Sequence, residues 1–322
     1  MDFELGGDVW LWLDPSQACN ISCALCYTRP SQAKNFLSVD DARLFSRKLC
    51  DAGINVREIT LNWRGEPLMN KRFPEILDIV TASFPRTRVQ FHSNAMLLGE
   101  RVCDQLCRIE RPFFIYLSVD GGTAQSHEKN RGPDTFRRAV RGGHNLLRRR
   151  GDRAWPHISL YQLDLGVDER AYDPEFLQLA RRCDIWQRVN PIVANGSDPA
   201  HSEQDRDVAG IAPEIFWDAD ATGPQPAGAC FWAGFSLSIS PDGTVSPCIL
   251  TQLSNDDAVF GNLRVDSVAT ILQRATAFRW RLEAEGRGAI PLCASCYKVE
   301  GRPRPPREPR NLQLSHGELA AN

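Results

Sequence analysis

Three cysteines stand close together near the start of the chain, at Cys19, Cys23 and Cys26. They supply one thiol too many for a single disulfide and one too few for a closed four-cysteine zinc site. Each iron of a [4Fe–4S] cluster takes one thiolate, so three cysteines leave one iron open. The triad therefore favours an iron–sulfur cluster with room for a further ligand. The alternatives are three buried thiols, or a zinc site built from two cysteines and a distant histidine.

A second set of four cysteines lies much further along the chain, at Cys230, Cys248, Cys293 and Cys296. A Cys-x2-Cys pair with two distant cysteines is typical of a zinc ribbon, and equally of an iron–sulfur cluster that is ligated on all four irons. Tetrahedral sulfur coordination suits both, so the residues alone leave both alternatives open.

The segments around the first triad alternate between strand-like and helix-like patterns. The strand-like segments cover residues 9–13, 57–63, 87–93, 113–119, 157–165 and 185–193. The helix-like segments cover residues 38–53, 72–84, 99–109, 134–150 and 174–183. This alternation predicts an α/β fold with a parallel sheet covered by helices. Six pairs are too few for a closed eight-fold barrel, so we expect a partial (β/α)6 TIM-like barrel with the triad at the functional end of its first strand.

Composition changes beyond this predicted barrel, which we assign to residues 1–195. Residues 196–229 are polar and rich in Gly, Pro and Asp, which indicates a linker. Residues 230–300 combine a hairpin around a PDG turn, a helix over 265–285 and the second cysteine set, which predicts a small α+β domain. Residues 301–322 are Pro/Arg-rich and then polar, which indicates a mobile tail.

Overall composition excludes several classes of protein. The 322 residues carry a net charge of −2, which provides no general attraction to nucleic acid or to an anionic membrane. The chain shows neither a signal peptide nor an apolar run of roughly 18 residues that could span a bilayer. We therefore expect a cytoplasmic protein with no nucleic-acid and no membrane partner. In that reducing compartment, eleven cysteines favour metal binding or catalysis over disulfides.

The cysteine triad and four later stretches resemble, in order, the motifs of the radical S-adenosylmethionine (SAM) superfamily. The resemblance covers about residues 9–193. The four stretches are WRGEP (63–67), HSNAMLL (92–98), LSVDG (117–121) and HEKNRG (127–132). The match departs from the family pattern at Arg64, Ser93 and Ala95. It implies that SAM binds the open iron, that one electron cleaves it, and that the resulting radical removes a hydrogen atom from the substrate.

The resemblance also implies a role for each matching residue in binding SAM. Glu66 would accept from the SAM ammonium group, and Arg131 would bind the SAM carboxylate. Tyr27, the aromatic residue after the third cysteine, would lie near the adenine. HEKNRG is expected to be a loop.

Three further matches concern the ends of later strands. Ser118 and Asp120 would lie near the SAM ribose, and Asn94, at the end of the third strand, would also contact the cofactor. Gly65 and Gly121 are small, so the backbone at these positions could approach the ligand closely.

The second cysteine set, with DGTVSPC (242–248) before Cys248 and CASC at 293–296, resembles the twitch form of the SPASM domain. This resemblance implies one auxiliary [4Fe–4S] cluster that relays electrons. The expected cofactors are therefore two [4Fe–4S] clusters and SAM, and the expected electron donor is of the flavodoxin or ferredoxin type.

Family members with one auxiliary cluster include enzymes that act on aminocyclitols and aminoglycosides. Because the chain begins almost at its first predicted strand, we expect a small carbohydrate-like substrate and oxidation of an alcohol to a ketone. His157, Tyr161 and Arg188 are expected to face inward, with Arg188 as the candidate proton acceptor. An epimerase, with Cys183 or another helical thiol donating a hydrogen atom, and a ribosomal peptide maturase are the alternatives.

Overall fold

The computed structural model describes residues 9–26, 34–189, 236–248 and 258–294, together with Cys230 and Ala233. Its nine strands are β1 (Val9–Leu13), β2 (Val56–Thr60), β3 (Arg88–Ser93), β4 (Phe114–Ser118), β5 (His157–Leu163), β6 (Ile185–Val189), β7 (Ser236–Ile239), β8 (Thr244–Ser246) and β9 (Gly261–Asn262). Its helices are α1 (Val39–Asp51), α2 (Phe73–Ser83), α3 (Glu100–Cys107), α4 (Ala124–Arg131), α5 (Phe136–Arg150), α6 (Pro174–Arg182), α7 (Val268–Glu285) and α8 (Pro291–Ala294).

Helix α1 shows how local sequence sets the boundaries of these elements. Ser38 caps its first turn, since the Ser38 hydroxyl accepts from the Asp41 N–H at 3.0 Å. Past its last turn, Gly53 adopts a φ of 65°, a left-handed conformation that glycine takes without strain. Ala42, Phe45 and Leu49 are buried at helical spacing, so one face of α1 packs on the sheet.

All nine strands belong to one sheet, in the order β6-β5-β4-β3-β2-β1-β7-β8-β9. Strands β1 to β6 are parallel to their neighbours, as the alternating pattern predicts for a partial barrel. Strand β7, from the second cysteine region, pairs in parallel with β1, and β8 and β9 continue the sheet in antiparallel fashion. The two cysteine regions therefore share a continuous sheet.

The two faces of the sheet differ in chemistry. The outer face carries apolar side chains that pack under the helices, among them Leu11, Ile59, Phe91, Ile115, Leu117 and Leu160. The inner face carries the alternate residues of the same strands, among them Trp12, Thr60, Gln90, His92, Tyr116 and Tyr161. An apolar outer face and a polar and aromatic inner face are what a ligand-binding partial barrel requires.

The second cysteine region is also fixed to helix α1. The Lys48 ammonium donates to the carbonyls of Leu263 at 2.7 Å and Asp266 at 3.0 Å. The Arg264 guanidinium binds both oxygens of Asp41. Within the described parts of the chain, no helix is long and apolar enough to cross a membrane.

Candidate active site

The loop that carries Cys19, Cys23 and Cys26 follows β1 and is held by hydrogen bonds to two other segments. The Glu66 N–H donates to the Ala18 carbonyl at 2.9 Å. Asn130 holds the other side of the loop, because its carbonyl accepts from the Ala24 N–H at 2.7 Å and its Oδ1 accepts from the Leu25 N–H at 3.0 Å. The sheet and α4 therefore position the cysteine loop (residues 19–26) jointly.

Gly65 lies directly against the start of this loop. A Cβ atom at this position would stand 2.2 Å from the Ser16 carbonyl oxygen and 2.4 Å from the Ala18 carbonyl oxygen. Both contacts are to backbone atoms, which cannot move aside by a rotation as a side chain could. The glycine is required for the WRGEP loop to pack under the cysteine loop, a reason independent of any ligand.

Glu66 is buried at the centre of the site. Its Oε1 accepts from the Ser93 hydroxyl at 2.8 Å and from the Leu68 N–H at 3.3 Å, and its Oε2 accepts from the Asn94 N–H at 2.8 Å. Burial raises the pKa of Glu66, while the Asn94 N–H and the Ser93 hydroxyl oppose that rise. A ligand ammonium group would further stabilise this buried carboxylate.

Asn94 connects the end of β3 to the cysteine loop. Its side-chain amide donates to the Asn20 Oδ1 at 2.8 Å, and its Oδ1 accepts from the Met96 N–H at 3.1 Å. Ser118, at the end of β4, is also buried. The structure therefore brings Asn94 to the cysteine loop. The contacts of Asn94 and Ser118 with SAM remain predictions.

Asp120 and Arg131 form a buried ion pair. The Arg131 Nε donates to the Asp120 Oδ2 at 2.6 Å and its Nη2 to Oδ1 at 3.1 Å, and the Asn130 amide donates to Oδ2 at 2.7 Å. Burial alone would raise the pKa of Asp120, but Arg131 overrides it and the pKa is lowered. Burial alone would lower the pKa of Arg131, but the Asp120 carboxylate raises the pKa of this guanidinium. Both groups are therefore ionised.

This pair changes the immediate role of Asp120, which the motif resemblance places near the SAM ribose. Its two oxygens already accept from Arg131, from Asn130 and from the Leu163 N–H at 3.4 Å. Asp120 thus orients Arg131. The described contacts of Arg131 use Nε and Nη2, so Nη1 can face an anion such as a ligand carboxylate.

The HEKNRG stretch is mostly helical, which corrects the expectation of a loop. Residues Ala124–Arg131 form α4, capped by the Thr123 hydroxyl, which accepts from the Ser126 N–H at 3.2 Å. His127 in this helix accepts from the Asp120 N–H through Nδ1 at 3.0 Å. Burial lowers the pKa of His127 to about 4, so the ring is neutral and carries its hydrogen on Nε2.

The three thiols of the cysteine loop fit an iron–sulfur cluster. Burial raises the pKa of Cys23 to about 12 and also raises that of Cys19, and each thiol interacts electrostatically with Cys26. Coordination to iron would provide the charge that turns such thiols into thiolates. Glu66 and Arg131 lie close enough to influence these thiols, so groups suited to an ammonium and a carboxylate adjoin the triad.

The later cysteines come from three separate segments. Cys230, Cys248 and Cys293 are buried, and Cys293 lies in α8, where its N–H donates to the Ile290 carbonyl at 2.8 Å. Cys296 lies outside the described residues. Among the described residues, no three His, Cys, Asp or Glu side chains are gathered as a group that could hold a metal ion. The four cysteines of a four-iron cluster bind four different irons and so stand further apart than the ligands of one ion, so this finding is compatible with a cluster.

Arg188 does not face inward, which corrects our expectation. It pairs with Gln162 across the β5–β6 ladder and shares the outer face with it. Its guanidinium binds Asp164 at 3.0 Å and Glu169 at 3.7 Å and lies over the Tyr172 ring. These partners make Arg188 a surface ion-pair residue, and its predicted role as proton acceptor loses its geometric basis.

The other residues that the sequence singled out have varied positions. Tyr161 faces inward as expected, and Gln187, which pairs with it, takes the inward place on β6. His157 shares this inward face at the opposite end of β5, where it is half-buried against Phe114. Cys183 is half-buried after α6, and burial raises the pKa of its thiol to about 12. Tyr27 lies outside the described residues.

Sequence reasoning missed an aromatic group on the inner face. The His92 ring stacks on Tyr116 with centroids 4.6 Å apart and meets the edge of Tyr161 at 4.9 Å. The Tyr116 hydroxyl accepts from the Arg88 guanidinium at 2.6 Å. Burial lowers the pKa of His92 to about 4, so its ring is neutral. The alternation in TRVQFHS and FFIYLSV was the signal that could have placed these residues inward.

The fold and the site together define a partial-barrel enzyme in which an iron–sulfur cluster can hold a cofactor next to Glu66 and Arg131. Comparison with known families gives the same result. The radical SAM superfamily model matches residues 13–161, and the iron–sulfur cluster-binding domain SPASM matches residues 230–297. The chain therefore belongs to the radical SAM superfamily and carries a SPASM domain. Its cofactors are SAM and two [4Fe–4S] clusters.

The curated relatives include two mycofactocin maturases. The chain is 26% identical over 326 residues to the mycofactocin maturase MftC of Mycolicibacterium smegmatis, which covers 91% of this chain and 77% of the relative. It is 24% identical over 319 residues to MftC of Mycobacterium ulcerans, which covers 91% of this chain and 82% of the relative.

Several solved structures share the fold. SuiB of Streptococcus suis bound to precursor peptide SuiA superposes with a TM-score of 0.59 at 14% identity, over 86% of this chain and 67% of SuiB. BtrN in complex with AdoMet and 2-DOIA superposes with a TM-score of 0.53 at 17% identity, over 93% of this chain and 95% of BtrN. Native anSMEcpe with bound AdoMet gives 0.58 at 15% identity, over 84% of this chain and 82% of that chain.

Proposed function

We propose that the chain is a peptide maturase, a radical SAM enzyme that modifies a ribosomally made precursor peptide. The observation that carries this proposal is the similarity to mycofactocin maturase MftC, which extends over 91% of the chain. The shared fold with SuiB, whose structure holds a precursor peptide, is consistent with it. This proposal replaces the small carbohydrate-like substrate that we expected from the sequence.

The residues of the site would divide the work as follows. Cys19, Cys23 and Cys26 would hold the first cluster, and Glu66 and Arg131 would bind the ammonium and carboxylate of SAM. SAM and this cluster, when bound, supply a carbon radical that can remove a hydrogen atom from an unactivated carbon. The buried surroundings of Glu66 and Asp120 exclude water from this region, which limits side reactions.

The inner face of the sheet would receive the peptide. His92, Tyr116 and Tyr161 present a continuous aromatic surface there, and hydrogen bonds from Arg88 to Tyr116 and from Gln90 to Glu58 make its border polar. Such a surface suits a peptide side chain, with apolar contact from the rings and orientation from the polar groups. The buried cysteines of the second region would hold the auxiliary cluster, which by its full ligation suits electron relay.

Anaerobic reaction with a precursor peptide encoded beside the gene tests this proposal. The reconstituted enzyme, given SAM and a reductant, is expected to change the mass of the peptide and to release 5′-deoxyadenosine in step with it. The combined Cys19→Ala, Cys23→Ala and Cys26→Ala variant should abolish both. The Cys50→Ala, Cys107→Ala variant is the matched control, because these helical thiols lie outside both cysteine sets, and it should retain both.

Oxidation of an aminocyclitol alcohol is the second candidate function. The observation that favours it is the fold likeness to BtrN, whose length this chain covers at 95% and whose structure holds 2-DOIA. Repeating the assay with 2-DOIA and related aminocyclitols in place of the peptide distinguishes the two candidates. A ketone product from an aminocyclitol, together with no change in mass of the peptide in the first assay, would overturn the maturase proposal.

A further inference from the structure

Four exposed basic side chains gather on the outer surface of α4 and the first turns of α5. We call this surface the basic patch, and it comprises Lys129, Arg137, Arg138 and Arg141. Among the described residues, none of the four forms an ion pair with an acidic side chain. Asp134 is the exposed acidic residue in the same stretch. The patch therefore carries a local excess of positive charge on a chain whose net charge is −2.

The last turn of α5 also carries arginines, but these are paired with acidic residues. Arg149 at that end binds Asp104 at 3.2 Å and Glu100 at 3.8 Å, and Arg148 stands 3.7 Å from Glu100. Arg150 forms an ion pair with Asp184. The acidic residues of neighbouring segments thus neutralise the last turn of α5, while the first turns remain uncompensated. Within α5, the uncompensated positive charge therefore lies on the first turns.

That end is the one that adjoins the cysteine loop. Asn130, next to Lys129, accepts from the Ala24 and Leu25 N–H groups of the loop. The start of α5 is joined to α4, because Glu128 accepts from the Phe136 N–H at 3.3 Å. Helix α5 also packs closely on the segment after β3, since a Cβ at Gly142 would stand 1.9 Å from the Ala95 carbonyl oxygen. A protein seated on the patch would therefore lie on the side of the helix layer that contacts the cysteine loop.

Cleavage of SAM needs one electron at that cluster, and a donor outside the chain supplies it to start the reaction. Small flavin-containing electron carriers are acidic, and complementary charge speeds the encounter of two redox proteins. We propose that the basic patch is the docking surface for an acidic, flavodoxin-type electron donor. In the transfer, the donor's anionic flavin hydroquinone loses one electron and becomes the neutral semiquinone. The cluster gains that electron, and no atom is transferred.

Charge reversal on the patch tests the proposal in the reconstituted holoenzyme. The Arg137→Glu, Arg141→Glu variant should bind oxidised flavodoxin about 10-fold more weakly than wild type at low salt, with the difference shrinking at high salt. Calorimetric titration measures this affinity without any turnover. In stopped-flow experiments, reduction of the cluster by flavodoxin hydroquinone should slow by a similar factor, whereas reduction by dithionite should be unchanged because dithionite needs no docking surface.

The Arg181→Glu, Arg182→Glu variant is the matched control. It makes the same change in net charge in the last turn of α6, at the end of the helix layer away from the cysteine loop. It should bind flavodoxin as wild type does. Equal loss in both variants, or wild-type binding and reduction in the patch variant, would overturn the proposal.

A third outcome would show that the basic patch binds the precursor peptide instead of the electron donor. If the patch variant binds the precursor peptide more weakly but flavodoxin normally, the patch is a peptide surface and the docking proposal is wrong. None of the flavodoxin measurements includes a peptide, so the docking proposal and the maturase proposal can fail independently.

Discussion

At the scale of a single residue, Gly65 is required for a packing reason that the family motif does not reveal. The sequence suggested that a small residue lets the backbone approach the cofactor. The structure shows that the missing Cβ is needed first by the Ser16 and Ala18 carbonyls, which would otherwise be 2.2 and 2.4 Å away. Gly65 therefore sets the position of the loop that carries the cysteines.

The Gly65→Ala substitution should displace that loop. Overpacking against rigid backbone costs about 1–3 kcal/mol, and relief requires the cysteine loop to move. We expect a lower melting temperature and several-fold less iron in the first cluster, measured in a background that lacks Cys230, Cys248 and Cys293.

The Gly99→Ala substitution in the same background is the control. Gly99 caps α3 with a φ of −76°, and a Cβ there meets nothing within 4 Å. It should bind iron as the parent does. Normal iron content in Gly65→Ala would show that the loop tolerates the extra atom.

Asp14 is a second residue whose environment determines its behaviour. It is fully buried just after β1, and burial raises its pKa from 3.8 to about 7, despite the lowering effect of Arg64 and of nearby backbone N–H groups. The folded protein thus binds this proton more tightly than the unfolded chain does. Its contribution to stability is present at low pH and is lost as the pH rises through about 7.

Asp14→Asn should remove this pH dependence. Relative to the variant, the free energy of unfolding of the wild-type protein should fall by about 2–3 kcal/mol between pH about 5 and about 8, because one pKa unit corresponds to about 1.4 kcal/mol. Urea unfolding at several pH values measures the difference. Parallel pH profiles for the two proteins would contradict the raised pKa.

At the scale of elements, the sequence predicted those parts of the fold that rest on apolar periodicity. The parallel strands and the amphipathic helices α1, α2, α3, α5 and α6 fall close to their predicted positions. Helix α4 was missed because the residues it buries are polar, namely Ser126, His127 and Asn130. Hydrophobic periodicity carries no signal for a helix held by buried hydrogen bonds.

The misplacement of Arg188 has a different cause. Successive residues of a strand point to opposite faces. An error of one residue in the predicted register therefore moves a side chain from the inner to the outer face of the sheet. The pairing of Gln162 with Arg188 places both on the outer face, and no local pattern in IWQRV specifies that register. The positions of Asn94 and Asp120 were easier to predict, because these residues lie within two positions of the ends of β3 and β4, where the face of the strand matters less.

Lys48 tests how α1 holds the second cysteine region. Lys48→Met keeps the aliphatic stem and removes two hydrogen bonds to the Leu263 and Asp266 carbonyls, which are worth about 1.5–3 kcal/mol each when the donor is charged. Backbone amides of residues 258–266 should exchange with deuterium faster in the variant. Arg47→Met, an exposed change on the same helix, should leave this exchange unchanged. Equal exchange in Lys48→Met and wild type would show that the contact is dispensable.

The whole molecule combines two cysteine regions in one sheet, with an open cluster predicted in the first and a fully ligated cluster in the second. We expect about eight irons per chain, four in each cluster. Removing Cys19, Cys23 and Cys26, or removing Cys230, Cys248 and Cys293, should each leave about four. Iron analysis under anaerobic conditions measures these values, and about four irons in the wild-type chain would contradict the two-cluster assignment.

The position of β1 between β2 and β7 has a consequence for how the chain is made. Trp10 pairs with Ser236, although most of the chain separates them in sequence. During synthesis, β1 and its cysteine loop emerge before β7, and one edge of β1 stays unpaired until the ribosome has released β7. This long-range pairing makes completion of the sheet a late step of folding, after the cysteine loop has been synthesised.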